Sequence, residues 1–453
     1  MLTATNPFNG EKIAEYPSLS DAEMNQHIDA ARAAYPAWRK TSFAERARIL
    51  QAVADELRQR KAHLAELMAM EMGKPVKEGG PEVEKAAVCA EFYAANAERF
   101  LQSDVLESDA SNSYVRYQPL GTLLGILPWN APLWLAFRYL APALMAGNTC
   151  VLKHDPNVPA SAHAIAEAFT AAGAPENIMV NLPVTTPQVE AAIRHPAIAA
   201  VSFTGSAVAG AKVAATAGSE IKPCVMELGG SDPCIVLADA DLSTAADIAV
   251  LSRIINAGQS CIAAKRILVE KSVYSEFTVM VEERLAKLKL GDPRLPETDV
   301  GPIARDDLRQ NLHRQVADSI AKGASCLLGG ELPAGEGYFY PPTLLADVHP
   351  DMPAFCEETF GPVMALTPVA DINEALTLAN QTEYGLGAAI WTAQVDKAEQ
   401  WAGEIESGQV AINGIVKTDP RLPSGGIKRS GFGRELGPHG IKEFVNAKQV
   451  WIK

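Results

Sequence analysis

The sequence of 453 residues is short of most features that declare a function outright. Its seven cysteines, Cys89, Cys150, Cys224, Cys234, Cys261, Cys326 and Cys356, are odd in number and widely spaced, so neither a disulfide framework nor a zinc site follows from them. That usage points to a reducing, cytoplasmic compartment. The eight histidines form no His-x-x-x-His pair, and no metal is expected. Positive charge is also scarce. Forty Lys+Arg against 54 Asp+Glu leave a net charge of −14, the wrong sign for gripping nucleic acid or anionic lipid. An anionic small ligand would need a local cation to overcome that balance. Long apolar runs are missing too: the most apolar stretch, 119–152, is broken by Asn130, Arg138, Pro128, Pro132 and Pro142, which argues against a membrane span. The amino terminus lacks a basic stretch followed by an apolar core, so no signal peptide is expected.

What remains describes a globular protein. With 48% hydrophobic residues the chain can bury sizeable cores, and roughly 100 to 200 residues per domain makes two to four packed units. The first hundred residues read as helices, two of them opened by capping boxes, Ser20 with Glu23 and Ser42 with Glu45. From Val115 onward the texture becomes strands alternating with helices. Strands are expected at 123–127, 149–153, 199–204, 223–227 and 234–237, with helices at 133–146, 160–172 and 207–217. A second alternating set begins near 266–269 and runs past a helix at 273–288 to a strand at 388–391. Such alternation implies parallel sheets covered on both faces, in two α/β domains that meet near Gly229-Gly230. The tail Gln449-Val450-Trp451-Ile452 reads as a strand that needs a partner, such as a neighbouring subunit.

Three common nucleotide and hydrolase signatures fail. Gly205-Ser206-Ala207-Val208-Ala209-Gly210 follows a strand and opens a helix, but it is neither the Rossmann Gly-x-Gly-x-x-Gly nor a P-loop, since Ala211 precedes Lys212. Gly229-Gly230-Ser231-Asp232-Pro233 misses the nucleophile elbow at its last place.

Three other segments carry chemistry. Asn256-Ala257-Gly258-Gln259-Ser260-Cys261 presents a cysteine after a small, flexible approach; near backbone N–H groups its thiolate would be a nucleophile at neutral pH, whereas a buried Cys would be inert packing. Glu227, in Met226-Glu227-Leu228-Gly229-Gly230, is a carboxylate among apolar and Gly residues, where burial would raise its pKa toward that of a base; an ordinary ion-paired glutamate is the alternative. Asn130, between Trp129 and Ala131-Pro132, is either an amide donor to an oxyanion or a turn residue.

Together with Phe203-Thr204-Gly205-Ser206 and Glu357-Glu358-Thr359-Phe360-Gly361-Pro362-Val363, these segments resemble the aldehyde dehydrogenase superfamily in order and along nearly the whole chain. Glu227 to Pro233, Gly258 to Arg266 and Gly425 to Gly431 are similar to the short bacterial succinate-semialdehyde dehydrogenases. The resemblance implies an α/β fold with two Rossmann-type parallel-sheet domains and a small β oligomerisation element. An NAD(P)-binding domain would span 1–105 and 119–229, a catalytic domain 230–435, and the oligomerisation element 106–118 and 436–453, giving a homodimer or dimer of dimers. It implies that Cys261 attacks the aldehyde carbon, that Asn130 and the Cys261 N–H hold the oxyanion, and that Glu227 activates the water that hydrolyses the thioester. NAD(P)+ would lie on Trp129, Lys153, Gly205, Ser206, Glu358 and Phe360, with no metal. The alternatives are a dehydrogenase of another small aldehyde, such as glutarate semialdehyde or a neutral aliphatic one, and a non-catalytic member.

Two positions depart from the broader family. Many relatives carry a glutamate three residues after Lys153, which repels a 2′-phosphate; here Pro156 stands there, with Asp155 beside it. Longer succinate-semialdehyde dehydrogenases resemble the chain but have an arginine where Ile255 stands. Arg138, alone in an apolar segment, needs an anionic partner, either the substrate's carboxylate or an internal ion pair. Trp134 and Thr418 are further candidates for the substrate pocket, with Lys417 beside them.

Overall fold

The computed structural model describes all 453 residues. Its amino-terminal part is helical apart from an opening hairpin, Leu2–Thr5 against Lys12–Tyr16, which is too short and too exposed to show a strand period in the sequence. Both expected capping boxes form. The Ser20 and Ser42 hydroxyls accept from the Glu23 and Glu45 N–H groups, and each glutamate accepts from its serine's backbone N–H in return.

A six-stranded sheet follows, ordered Gly431–Phe432, Cys224–Glu227, Ile198–Thr204, Thr122–Leu127, Thr149–His154 and Met179–Asn181. All neighbours are parallel except the first pair. The strands Thr122–Leu127 and Thr149–His154 are buried at every residue, and so is the helix Pro132–Met145 between them. That accounts for the apolar stretch at 119–152: it is the central strand–helix–strand unit, covered on all sides. No helix is long and apolar enough to cross a membrane.

After Glu227 the chain passes through four residues and enters a seven-stranded sheet at Asp232. Its order is Ser325–Leu328, Thr343–Ala346, Val363–Val369, Ala264–Glu270, Asp232–Val236, Gly387–Trp391 and Gln409–Ile412, antiparallel only at its first pair. A third sheet pairs Val445–Ile452 with Asn112–Pro119 and that strand with Asp104–Val105. The terminal strand therefore finds its partner within its own chain. Its other edge stays open, with Trp451 47% exposed.

In the first sheet the connections run one way from Thr122–Leu127 and then return to add Ile198–Thr204 on its other side. Neighbouring loops diverge at such a reversal, leaving a crevice at the carboxyl ends of the strands.

Candidate active site

A cleft of about 680 Å³ opens at that crevice. Trp129 and Asn130 follow the strand Thr122–Leu127, Gly205 and Ser206 follow Ile198–Thr204, Lys153 sits near the end of Thr149–His154, and Glu227 ends Cys224–Glu227. The opposite wall comes from residues that precede strands of the second sheet, Cys261 before Ala264–Glu270 and Glu358 with Phe360 before Val363–Val369. All nine line the one cleft. Arg138, Trp134 and Thr418 do not.

The turn before Cys261 is strained. Asn256 and Ala257 have φ of 56° and 52° and Gly258 one of 74°, three left-handed residues in succession. Glycine is required at 258, where an added Cβ would strike the Gly361 carbonyl. Surrounding polar groups hold the turn in place. Asn256 N–H donates to Glu78 (2.7 Å), its amide donates to the Asn130 carbonyl (2.8 Å), and the Asn130 amide donates to the Gln259 carbonyl (3.1 Å). Lys265 donates to the carbonyls of Ser260 (2.9 Å) and Cys261 (2.7 Å). Lys74, paired with Glu82, reaches the Asn130 carbonyl (3.0 Å). The Cys261 backbone N–H and the second N–H of the Asn130 amide have no internal partner, so both are available to a developing oxyanion. The segment after Cys261 is a turn into a strand and offers no helix dipole. Burial pushes the Cys261 thiol up to about 11 against the pull of Lys265 and Arg138, a direction that disfavours a resting thiolate.

Glu227 lines the same cleft as Cys261. It is 4% exposed, and burial pushes its carboxyl up to about 7, with Arg138 opposing the rise and Glu435 adding to it. One oxygen accepts from Arg138 Nη2 (2.9 Å), and the other, Oε1, has no hydrogen-bond partner. Arg138 itself is 3% exposed and also meets Glu435, Nε to Oε2, at 2.5 Å. Of the two kinds of anionic partner expected for Arg138, the structure supplies the internal one. The guanidinium stands behind Glu227, shared between two buried carboxylates, as an internal ion pair.

The far end of the cleft fits a dinucleotide. The Ser206 hydroxyl accepts from Ala209 N–H at the start of helix Ala207–Ser219, while the N–H groups of Ala207 and Val208 are unpaired, a cradle for a pyrophosphate. Lys153 is buried to 5% exposure and has no internal partner, Lys212 lies on the same wall, and Pro156 leaves no carboxylate at its position. Asp155 accepts from Asn157 N–H (2.9 Å) in a local turn. Glu358 accepts from Gly230 N–H (3.1 Å) with Lys265 at 3.6 Å, an approach that needs Gly229, whose Cβ would collide with the carboxylate. Trp129 and Phe360 meet edge to face, 5.9 Å between ring centres.

A model of the aldehyde dehydrogenase family matches residues 1–450. The chain belongs to that family. Over 451 residues, 100% of this chain and 99% of the other, it is 46% identical to a Synechocystis protein described as a probable succinate-semialdehyde dehydrogenase [NADP(+)]. A succinate-semialdehyde dehydrogenase [NADP(+)] of Mycobacterium avium is 45% identical, with 100% and 96% covered. The solved succinic semialdehyde dehydrogenase of Streptococcus pyogenes, in complex with NADP+, superposes with a TM-score of 0.97 at 35% identity, covering 100% of both chains.

Lys74, Glu78, Glu82 and Lys265 escaped the reading of the sequence. Glu78, Glu82 and Lys85 follow helical spacing (i, i+4, i+7) on Val76–Phe100, a charged stripe beside the helix's buried face, which was the available signal.

Proposed function

We propose that this aldehyde dehydrogenase oxidises succinate semialdehyde to succinate with NAD(P)+. The observation that carries the reading is the meeting of the Cys261 thiol, the unfilled donors of Asn130 and the Cys261 N–H, and the unpartnered Glu227 oxygen at one end of a cleft whose other end suits a dinucleotide. The names of the Synechocystis, Mycobacterium avium and Streptococcus pyogenes relatives support the substrate and the use of NADP+.

Glu227, directly or through a water, takes the thiol proton as Cys261 sulfur bonds to the aldehyde carbon. The oxygen becomes an oxyanion between the Asn130 amide and the Cys261 N–H. The chemistry the cofactor supplies when bound is acceptance of the hydride that leaves this carbon. Lys153, Gly205, Ser206 and the first turn of Ala207–Ser219 would hold its adenosine and pyrophosphate, and Glu358, Phe360 and Trp129 its nicotinamide end. Loss of hydride leaves a thioester on Cys261. Glu227, after giving up its proton to solvent, takes a proton from water as that water adds to the thioester carbon, and collapse frees the acid and expels the Cys261 sulfur, which takes that proton back from Glu227. Self-association through the open edge of Val445–Ile452 completes the proposal.

A panel of succinate semialdehyde, glutarate semialdehyde and butanal, each assayed with NAD+ and NADP+, tests the reading. The highest kcat/KM is expected for succinate semialdehyde, and equal values for it and butanal would overturn the assignment.

A further inference from the structure

An anionic substrate in a protein of net charge −14 needs a cation that is not already spent, and Arg138 faces two carboxylates. Lys85 is different. It projects from the helix Val76–Phe100, half-buried, with its ammonium 4.1 Å from the centre of the Trp134 ring and 2.8 Å from Thr418 Oγ1. The indole N–H of Trp134 donates to the same hydroxyl at 3.1 Å, which locks the three side chains together.

No carboxylate pairs with Lys85, although two lie near enough to influence it. Glu82 is spent on Lys74 and on the N–H groups of Leu133 (3.0 Å) and Trp134 (3.2 Å). Asp419 is spent on the backbone and guanidinium of Arg421 at 2.6 to 2.9 Å. Burial, with Arg138 as a second nearby cation, pushes the Lys85 ammonium down to about 8, the condition of a charge short of a counter-ion. Two of its three N–H bonds remain without an acceptor.

Position makes this charge relevant to the reaction. Trp134 lies in the first turn of the helix Pro132–Met145, four residues after Asn130 and one turn before Arg138. Glu82 ties the cluster to the Asn130 turn: it accepts from Trp134 N–H and pairs with Lys74, which reaches the Asn130 carbonyl at 3.0 Å. The loop that supplies Thr418 also supplies Ser424, 3.4 Å from Arg138 Nη2. An extended four-carbon semialdehyde, its aldehyde carbon at Cys261, needs its counter-charge only a few ångströms farther on.

We propose that Lys85, held by Trp134 and Thr418, binds the carboxylate of the substrate and sets the preference for an anionic over a neutral aldehyde. The inference rests on the reading of the protein as a succinate-semialdehyde dehydrogenase. Its ligand class is a short aldehyde with a terminal carboxylate, and Trp134 shields the ion pair from water, which strengthens it.

The test compares succinate semialdehyde with butanal, which has the same number of carbons and no carboxylate, in the wild type and in Lys85→Met, Lys85→Arg and Thr418→Val. Wild type is expected to favour succinate semialdehyde. Lys85→Met should cut the ratio of the two kcat/KM values about tenfold or more, chiefly through KM for the anion, and Lys85→Arg should restore most of it. Thr418→Val, which frees the ammonium without removing it, should cut the ratio about threefold. A wild type with no preference overturns the proposed function together with this inference. A wild type that prefers the anion, with a ratio unchanged in Lys85→Met or, should that variant not fold, in Thr418→Val, overturns the role of Lys85 alone.

Discussion

The two ends of the cleft are built on opposite electrostatic plans. At the chemical end most buried charges are paired within the protein, Arg138 with Glu227 and Glu435, Lys265 with Glu358, Lys74 with Glu82, and half-buried Lys85 is the exception. At the dinucleotide end Lys153 has none, and helical N–H groups face the cleft unpaired. A binding surface keeps its polar groups unsatisfied until the ligand arrives, whereas a reacting centre must already be in place when the ligand comes. The contrast explains why the cations expected to serve both ends fare differently: Lys153 is free and Arg138 is not.

The contrast can be broken most severely at the nucleophile. Cys261→Ala should lower kcat by about 10⁴-fold or more while the intrinsic-fluorescence titration with NADP+ still saturates, because the two ends are separate constructions. Next comes the oxyanion donor: Asn130→Ala should cost about 10² to 10³ in kcat, measured under saturating substrate. Glu227→Gln should lose a comparable factor, about 10² to 10⁴, with no burst of reduced cofactor in stopped flow, because formation and hydrolysis of the thioester both use this carboxylate.

The ion-paired end makes a sharper prediction through its pH profile. Turnover should rise with pH through about 7 as Glu227 loses its proton. Arg138 holds that carboxyl down and Glu435 pushes it up, so Arg138→Met should move the rise to higher pH and Glu435→Gln to lower pH. Arg138→Met should also cost about 3 to 5 kcal/mol in stability, read from denaturant unfolding, because it strands two buried carboxylates. The smallest effect belongs to the open end. Pro156→Glu should raise KM for NADP+ about tenfold and leave NAD+ nearly unchanged, since it adds one negative charge beside the expected 2′-phosphate.

Much of the site was legible because its residues announce themselves locally. Strand ends, Gly-rich turns and the neighbours of Cys261, Glu227 and Asn130 are short-range facts, and the helices opened by Ser20 and Ser42 carry their own start signals. What escaped is long-range. That Glu78 reaches Asn256, or that Glu82 caps the turn at Leu133, depends on which elements pack together, and no spacing encodes it. The upward push on the Cys261 thiol escaped for the same reason, since burial is a property of the assembled fold. Arg138 shows the limit plainly: the need for an anion was readable, the choice of Glu227 and Glu435 was not.

The strand Gly431–Phe432 has one more consequence. It pairs with the strand that ends in Glu227, and Glu435, four residues after Gly431, supplies half of the acidic cage around Arg138. During synthesis Glu227 therefore emerges from the ribosome long before the strand that pairs with its own. A chain ending before Gly431 would carry Glu227 on an unpaired strand edge, with Arg138 short of its second carboxylate.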